Sequence, residues 1–428
     1  MRAKKKIAII GYGLEGESLF FYLRRDSEND ITILDRNPEV ELPKGSKSVV
    51  GASYLKNLWK FDQIFRSPGV PFKLPEIQKQ KNKVTSLTKL FFEEIRKKEK
   101  VKIIGITGSA GKTTTSTLIF KMLKNAGKDA YLVGNIGVSF LDVLNKLSRN
   151  SIVVAELSSF QLQDLTMSPD VAVVLDVFEE HLDRHKDFRE YFRSKENIVR
   201  FQNKKDAVIY FADNKNSKKI GFLSRGKKIP VTAEKARNSG FETRLMGEHN
   251  LKNILAASLA AMLFGVSEKI IKKTVKDFKG AEHRIEFVGS VNGVKFYNDS
   301  KATNVGEALA SINIFEESKI VLMGGFNKKL NLKPLAKRAA SKDIRFVGLF
   351  GPAGREIARF LKGFGIKKYI FKKRMEDAFI AAVKKAKRGD IFLLAPGAAS
   401  FDEFHDYKER GREFKKLVIF LNSRKKIE

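Results

Sequence analysis

The sequence predicts an α/β protein of several domains, each built on a mainly parallel sheet. Three observations carry that expectation. Short apolar runs bounded by turn residues alternate with stretches of helical apolar spacing, the pattern of parallel strands joined by crossover helices. Two glycine-rich turns, Gly11–Gly16 and Gly105–Thr115, each follow an apolar run and open a helical stretch. The length, 428 residues, corresponds to roughly two to four domains.

Taken in order, Lys6–Ile10 reads as a strand, Glu15–Arg25 as a helix and Ile31–Leu34 as a second strand. Gln63–Arg66 is strand-like and meets Ser67-Pro68-Gly69, a sharp turn. The lysine- and glutamate-rich Glu93–Lys100 reads as a linker. Strands follow at Ile103–Thr107, Ile152–Glu156, Val171–Asp176 and Ala207–Phe211. Helices are expected over Thr113–Asn125, with Leu118, Ile119, Met122 and Leu123 on one face, and over Asn250–Phe264. Phe278–His283 marks a boundary. Beyond it, Ile285–Val288 and Val294–Tyr297 flank Asn292-Gly293, a hairpin signal. Strands at Ile320–Met323, Arg345–Phe350, Tyr369–Phe371 and Ile391–Leu394 complete a third α/β unit. The expected domains are 1–97, 98–281 and 282–428.

Composition bounds the function. Hydrophobic content of 43% with 31% charged residues fits a soluble globular chain, and no apolar run is long enough to span a membrane. The basic start, MRAKKKIAIIGYG, has too short an apolar part for a signal peptide. Without cysteine there is no disulfide, thiol nucleophile or cysteine metal site, and a cytoplasmic location is the default. The formal charge of +33 raises a nucleic-acid reading. Against it, the lysines are spread in short clusters, with no basic tail and no aromatic interleaving, so no nucleic-acid partner is expected.

Gly105–Thr115, GITGSAGKTTT, lies between a strand and a helix, where backbone N–H groups and the helix dipole converge on phosphate. Lys112 would face the outer phosphates and Thr113 could ligate Mg²⁺. The strict P-loop pattern wants glycine where this chain has Ile106. Glu156, a carboxylate closing a strand in the same sheet, is placed to bind Mg²⁺. Gly11-Tyr12-Gly13-Leu14-Glu15-Gly16 matches the dinucleotide fingerprint, with Asp35 about 20 residues on for a ribose hydroxyl. Taken alone it suggests an oxidoreductase, yet any diphosphate-bearing nucleotide would fit. His181 and His185 lack the HExxH context of a zinc protease; His181 could be a metal ligand, and His185, in polar surroundings, reads as exposed. Asn298–Asn304 (NDSKATN), Gly324–Lys328 and Ala395–Phe401 end strands on what should be one sheet edge, where such folds bind ligands.

Together these segments resemble the Mur ligase family of ATP-dependent amide ligases in peptidoglycan precursor synthesis. The resemblance covers essentially the whole chain, with NDSKATN the element most specific to the D-glutamate-adding members. Further matches are the GKT loop, Gly134–Gly137, ELSSFQL, Gly247–Asn250 and His283-Arg284. The fold it implies is a Rossmann-like N-terminal domain for the UDP-sugar, a central P-loop ATPase-like parallel sheet and a C-terminal Rossmann-like α/β domain for the amino acid. It implies ATP contacts from Gly108, Ser109, Gly111, Lys112, Thr113, Thr114, Asn253, Arg284 and Asp299. Two Mg²⁺ ions would be held by Thr113, Glu156, His181 and Lys195, the last carbamylated. Leu14, Asp35, Arg36, Gly69 and Asn135 would hold the UDP-sugar. Thr303, Lys328, Ser400, Phe401 and Tyr407 would hold D-glutamate, with Lys301 near the reacting carboxylate. Lys112, His181, Lys195 and Lys301 are the expected catalytic groups. The implied partners are ATP, UDP-N-acetylmuramoyl-L-alanine and D-glutamate, acting on a monomer. Departures from the family pattern are Ala110, Leu87, Lys89 and Tyr407. A related amide ligase adding another amino acid, or glutamate to a folate, a nicotinamide oxidoreductase and a nucleic-acid-stimulated ATPase are the alternatives.

Overall fold

The computed structural model describes residues 4–98, 100–180, 184–245, 247–327 and 330–424. The chain divides into two compact units, Met1–Asp277 and Phe278–Glu428. The first unit holds two sheets and the second holds one.

Strands β1 (Lys5–Ile10), β2 (Asn29–Asp35), β3 (Lys47–Val50), β4 (Gln63–Arg66) and β5 (Val84–Thr85) form the first sheet in the order β3-β2-β1-β4-β5. Every pairing is parallel. The direction of winding reverses between β1 and β4, so the glycine turn after β1 and the Ser67-Pro68-Gly69 turn after β4 share one edge. That is the topological switch point where α/β sheets bind ligands.

The second sheet contains β6 (Lys102–Thr107), β7 (Ala130–Gly134), β8 (Ile152–Glu156), β9 (Val171–Val174), β10 (Ala207–Phe211) and β11 (Lys227–Val231). Its order is β11-β10-β9-β6-β8-β7, again parallel throughout. Sandwiched between helices, its central strands are continuous apolar runs, buried on both faces. The strand expected over Val171–Asp176 stops at Val174. The next two residues turn to hold the phosphate loop: Leu175 N–H bonds the Thr107 carbonyl, and the Asp176 carbonyl accepts Ser109 N–H.

In the second unit, β12 (Glu286–Val291), β13 (Val294–Asn298), β14 (Lys319–Gly324), β15 (Ile344–Phe350), β16 (Tyr369–Lys372) and β17 (Ile391–Gly397) run in the order β12-β13-β17-β14-β15-β16. Only the β12–β13 hairpin is antiparallel, closed by Asn292 and Gly293 at positive φ. NDSKATN leaves β13 and APGAASF leaves β17, so the two loops come from adjacent strands.

Glu93–Lys100 is not a linker throughout, because Glu93–Arg96 forms the last turn of a helix, Leu87–Arg96. Ser86 caps it by accepting Lys89 N–H, and its charged residues are the outer face of a stripe that buries Phe91, Phe92 and Ile95. Phe91 packs against Phe140, with ring centroids 4.9 Å apart, in a core shared by both sheets of this unit. Truncating Phe91 to alanine should cost about 3–5 kcal/mol. Thermal denaturation should show that as a lower unfolding temperature, whereas an unchanged transition would mean the segment packs loosely.

Candidate functional site

The glycine that opens the phosphate loop, Gly108, comes two residues later than the strict motif demands. Ile106 lies inside β6, fully buried and paired with Glu156 on one side and Val173 on the other, so no glycine is required there. The turn is made by Gly108, where a Cβ would sit 2.8 Å from Leu175 Cβ, and by Gly111, whose φ is +83°. Gly111 also lies under the Asn253 amide, where a side chain would collide. Ser109 anchors the loop: its hydroxyl meets the Phe178 backbone N–H at 3.0 Å and the Tyr191 phenol at 2.7 Å. Helix Lys112–Asn125 starts at once, and Lys112 Nζ curls back to the Gly108 and Ser109 carbonyls at 2.8 and 3.0 Å. Thr114 is half-buried in its first turn.

Glu156 closes β8 and is 1% exposed. Among the described residues, its side chain accepts hydroxyl bonds from Thr113 and Ser116, both at 3.3 Å. A buried carboxylate whose described partners are neutral hydroxyls calls for a cation, and an oxygen-only ligand set suits Mg²⁺. Asn135, exposed, follows Gly134 and donates its N–H to the Glu156 carbonyl at 3.1 Å. Lys195, on helix Phe188–Arg200, reaches the same loop: Nζ donates to the Gly108 carbonyl at 2.9 Å and to Thr107 Oγ1 at 3.2 Å. Burial, followed by the Lys112 charge, pushes its ammonium well below the ordinary lysine range.

The structure thus brings Gly108, Ser109, Gly111, Lys112, Thr113, Glu156, Lys195 and Asn253 together; His181 lies outside the described residues. His185 corrects its expectation. It is buried, stacked on Phe160 with centroids 4.9 Å apart and bonded through Nε2 to Ser159 Oγ at 2.9 Å. Ser116 and Tyr191 belong to the site although sequence reasoning passed over them. Each stands one helical turn from a chosen lysine, Ser116 after Lys112 and Tyr191 before Lys195, and that spacing was the available signal.

At the first sheet's edge, Gly11 has φ +88° and Gly16 packs on its carbonyl, leaving no room for a Cβ. Asp35 accepts Tyr12 N–H at 2.7 Å and Asn37 N–H at 2.8 Å, so it pins the glycine turn to the end of β2. Leu14 and Arg36 are exposed beside it. Arg184 donates to the Pro68 and Gly69 carbonyls at 3.0 and 2.8 Å. Gln161, from ELSSFQL, donates to Glu15 at 2.8 Å, and burial raises that carboxyl to about 7.

In the second unit a cavity of about 330 Å³ is lined by Thr303, Asn304, Leu330, Ala399, Ser400, Phe401, Asp406 and Tyr407. Of the residues expected around the amino acid, Thr303, Ser400, Phe401 and Tyr407 meet there; Lys328 lies outside the described residues. Lys301 is half-buried, its N–H on the His283 carbonyl at 3.0 Å. Asp299 is buried nearby in sequence, accepting Ile285 N–H at 3.2 Å and the Ser311 hydroxyl. Burial raises its carboxyl to about 6, against the opposing pull of Arg284.

A phosphate loop beside a buried carboxylate, in a parallel sheet, defines a nucleotide-phosphate-binding α/β protein. Comparison with known proteins sharpens the class. Residues 5–88 match the MurD-like N-terminal domain of Mur ligases, 106–232 the Mur ligase middle domain and 283–397 the Mur ligase glutamate ligase domain. The chain belongs to the Mur ligase family. It is 37% identical to a UDP-N-acetylmuramoylalanine–D-glutamate ligase of Acetivibrio thermocellus, covering 97% of this chain and 96% of the relative. A Clostridium botulinum protein of the same name is 34% identical, with 97% of each covered. Among solved structures, MurF ligase from Thermotoga maritima in complex with ADP shares the fold (TM-score 0.58, 17% identity, 99% of this chain and 96% of that chain). So does UDP-N-acetylmuramate–alanine ligase from Thermotoga maritima (TM-score 0.55, 17% identity, 96% and 98%).

Asp299 makes stability pH-dependent in a stated direction. Its folded pKa, about 6, lies above its ordinary 3.8, so the folded chain holds the proton more tightly. The group therefore favours folding below about pH 4 and progressively opposes it as pH rises through 6, by up to roughly 3 kcal/mol. Asp299→Asn should leave the unfolding temperature nearly unchanged at pH 4 and raise it relative to the parent at pH 7. A difference that stays constant with pH, measured by scanning calorimetry, would contradict the buried-carboxyl assignment.

Proposed function

We propose that this chain joins D-glutamate to the alanyl carboxylate of UDP-N-acetylmuramoyl-L-alanine at the expense of ATP, as a cytoplasmic monomer. The observation that carries the reading is the acceptor cavity, where Thr303 of NDSKATN meets Ser400, Phe401 and Tyr407. The names of the relatives, at a third or more identity over nearly their full length, point the same way. In this reading 1–97 takes the UDP-sugar, 98–281 the ATP and 282–428 the amino acid.

The loop Gly108–Thr114 offers backbone N–H groups to the ATP phosphates, and Lys112 leaves the loop carbonyls to neutralise the outer ones. Asn253 borders the loop, and Arg284 and Asp299 supply the remaining nucleotide contacts. Thr113 and Glu156 would hold one Mg²⁺, and His181 with carbamylated Lys195 the second. Such ions offset the charge of the phosphate oxygens. Burial, which favours the uncharged Lys195 amine, suits carbamylation: its nitrogen bonds the carbon of dissolved CO₂, one proton leaves to water, and the neutral amine becomes an anionic carbamate. Leu14, Asp35, Arg36, Gly69 and Asn135 orient the UDP-sugar. An oxygen of the alanyl carboxylate then attacks the γ-phosphorus and ADP leaves. The D-glutamate amine attacks the resulting acyl phosphate, the acyl C–O bond breaks and phosphate departs, with Lys301 beside the reacting carboxylate.

The direct test is phosphate release with ATP, UDP-N-acetylmuramoyl-L-alanine and a panel of amino acids. Turnover with D-glutamate alone is expected, and turnover with L-glutamate or with none would refute the acceptor assignment. Lys112→Ala should lower kcat by at least about a hundredfold; normal release by that variant would remove the loop from the mechanism.

Lys195→Ala should lose activity and regain part of it when short-chain carboxylic acids are added, because they replace the missing carbamate oxygens. A fully active variant, or one that no carboxylate rescues, would rule out the carbamate.

A further inference from the structure

The acceptor cavity has three walls from separate stretches of chain: Thr303 and Asn304, Ala399 to Phe401, and Asp406 with Tyr407. One side chain ties these stretches together. Arg410, on helix Tyr407–Arg424, has no exposed surface. Its Nε donates to Ser300 Oγ at 3.0 Å and its Nη2 to the Ser300 carbonyl at 2.8 Å. Its Nη1 donates to the Ala398 and Ala399 carbonyls at 3.1 and 3.0 Å. Ser300 Oγ in turn donates to the Tyr407 carbonyl at 2.7 Å. A rigid planar fork is the side chain suited to hold several acceptors at set angles.

The arrangement is more than packing requires. Among the described residues, no carboxylate lies within ion-pair reach of the guanidinium; its partners are neutral oxygens, while Asp402, Asp299 and Glu403 act on it through space. Burying a cation this way is costly, and an apolar side chain of similar volume would fill the same space. What an apolar side chain could not do is fix the two loops against the helix start and leave a positive charge behind the cavity wall. In a poorly screened interior that charge favours an anionic occupant.

We propose that Arg410 is the positioning residue of the acceptor cavity, setting the spacing of its walls and biasing it toward an amino acid with a second carboxylate. This rests on reading the cavity as the D-glutamate site.

The test is steady-state phosphate release by the full-length chain. Arg410→Met should raise KM for D-glutamate at least about tenfold while KM for ATP and for the UDP-sugar stays within about twofold. Arg410→Lys, which keeps the charge and some of the donors, should raise it only about threefold. Equal effects from the two variants, or a lowered kcat with every KM unchanged, would overturn the proposal. Should Arg410→Met fail to fold, Ser300→Ala removes one link of the fork and should raise KM for D-glutamate about threefold; an unchanged KM there would overturn it too. If the parent chain releases no phosphate with D-glutamate, the reading of the cavity itself fails. If the parent is active and the variants keep its D-glutamate KM, only the role of Arg410 falls.

Discussion

Much of the nucleotide site depends on one register. Parallel pairing of β6 with β8 sets Ile106 opposite Glu156, and pairing of β6 with β9 sets Thr107 opposite Val174. The strand that launches the phosphate loop is thereby flanked by the two strands whose ends matter: one delivers the buried carboxylate, the other the turn that anchors Ser109. A slip of one residue would turn Glu156 to the opposite face of the sheet and leave Thr113 and Ser116 without their acceptor. The same register explains Ile106. Its side chain belongs to the sheet's apolar core, and the conformational freedom that the usual motif assigns to glycine is needed only from Gly108 onward.

Sequence reasoning recovered elements whose signal is local and missed those whose signal is relational. β3, β5, β7 and β11 went unrecognised, and all four are sheet edges. An edge strand has one neighbour and a wetter face, so it can carry polar residues: β3 reads KSVV and β11 KKIPV, the latter even tolerating a proline, while β5 is only two residues long. The outer strand β12 was legible only because Asn292-Gly293 announces its hairpin. The helix Leu87–Arg96 was half-hidden because its exposed face is dense in lysine and glutamate, which masks the stripe of Phe91, Phe92 and Ile95.

The site follows the same division. GITGSAGKTTT and NDSKATN are contiguous, so their residues could be read as units, and the structure gathers the phosphate-loop residues around Glu156 and Lys195. His185 could not be judged that way. Its sequence neighbours are polar, but its burial comes from Phe160 and Ser159, more than twenty residues earlier in the chain. Asp35 was legible as a residue of the nucleotide turn, yet not as the acceptor that receives Tyr12 N–H and fastens the turn in place.

Three buried ionisable groups show how this chain handles charge away from water, and each takes a different route. Lys195 has its pKa lowered, because desolvation and Lys112 both oppose its cation. Asp299 shifts toward the acid form because it is buried, while the Arg284 charge, the Ser311 hydroxyl and Ile285 N–H limit the shift. Arg410, lowered to about 9, stays protonated at neutral pH and spreads its donors over backbone carbonyls and one hydroxyl. The difference follows from intrinsic pKa: an amine or a carboxyl can be neutralised by burial near pH 7, and a guanidinium cannot. A buried arginine is therefore a source of fixed positive charge that changes in pH do not switch off. Lysine at the same depth can become a reactive amine, which is the property a carbamylation site needs. Under the proposed function, lysine beside the phosphate loop suits a carbamylation site and arginine beside the acceptor cavity suits an anionic substrate.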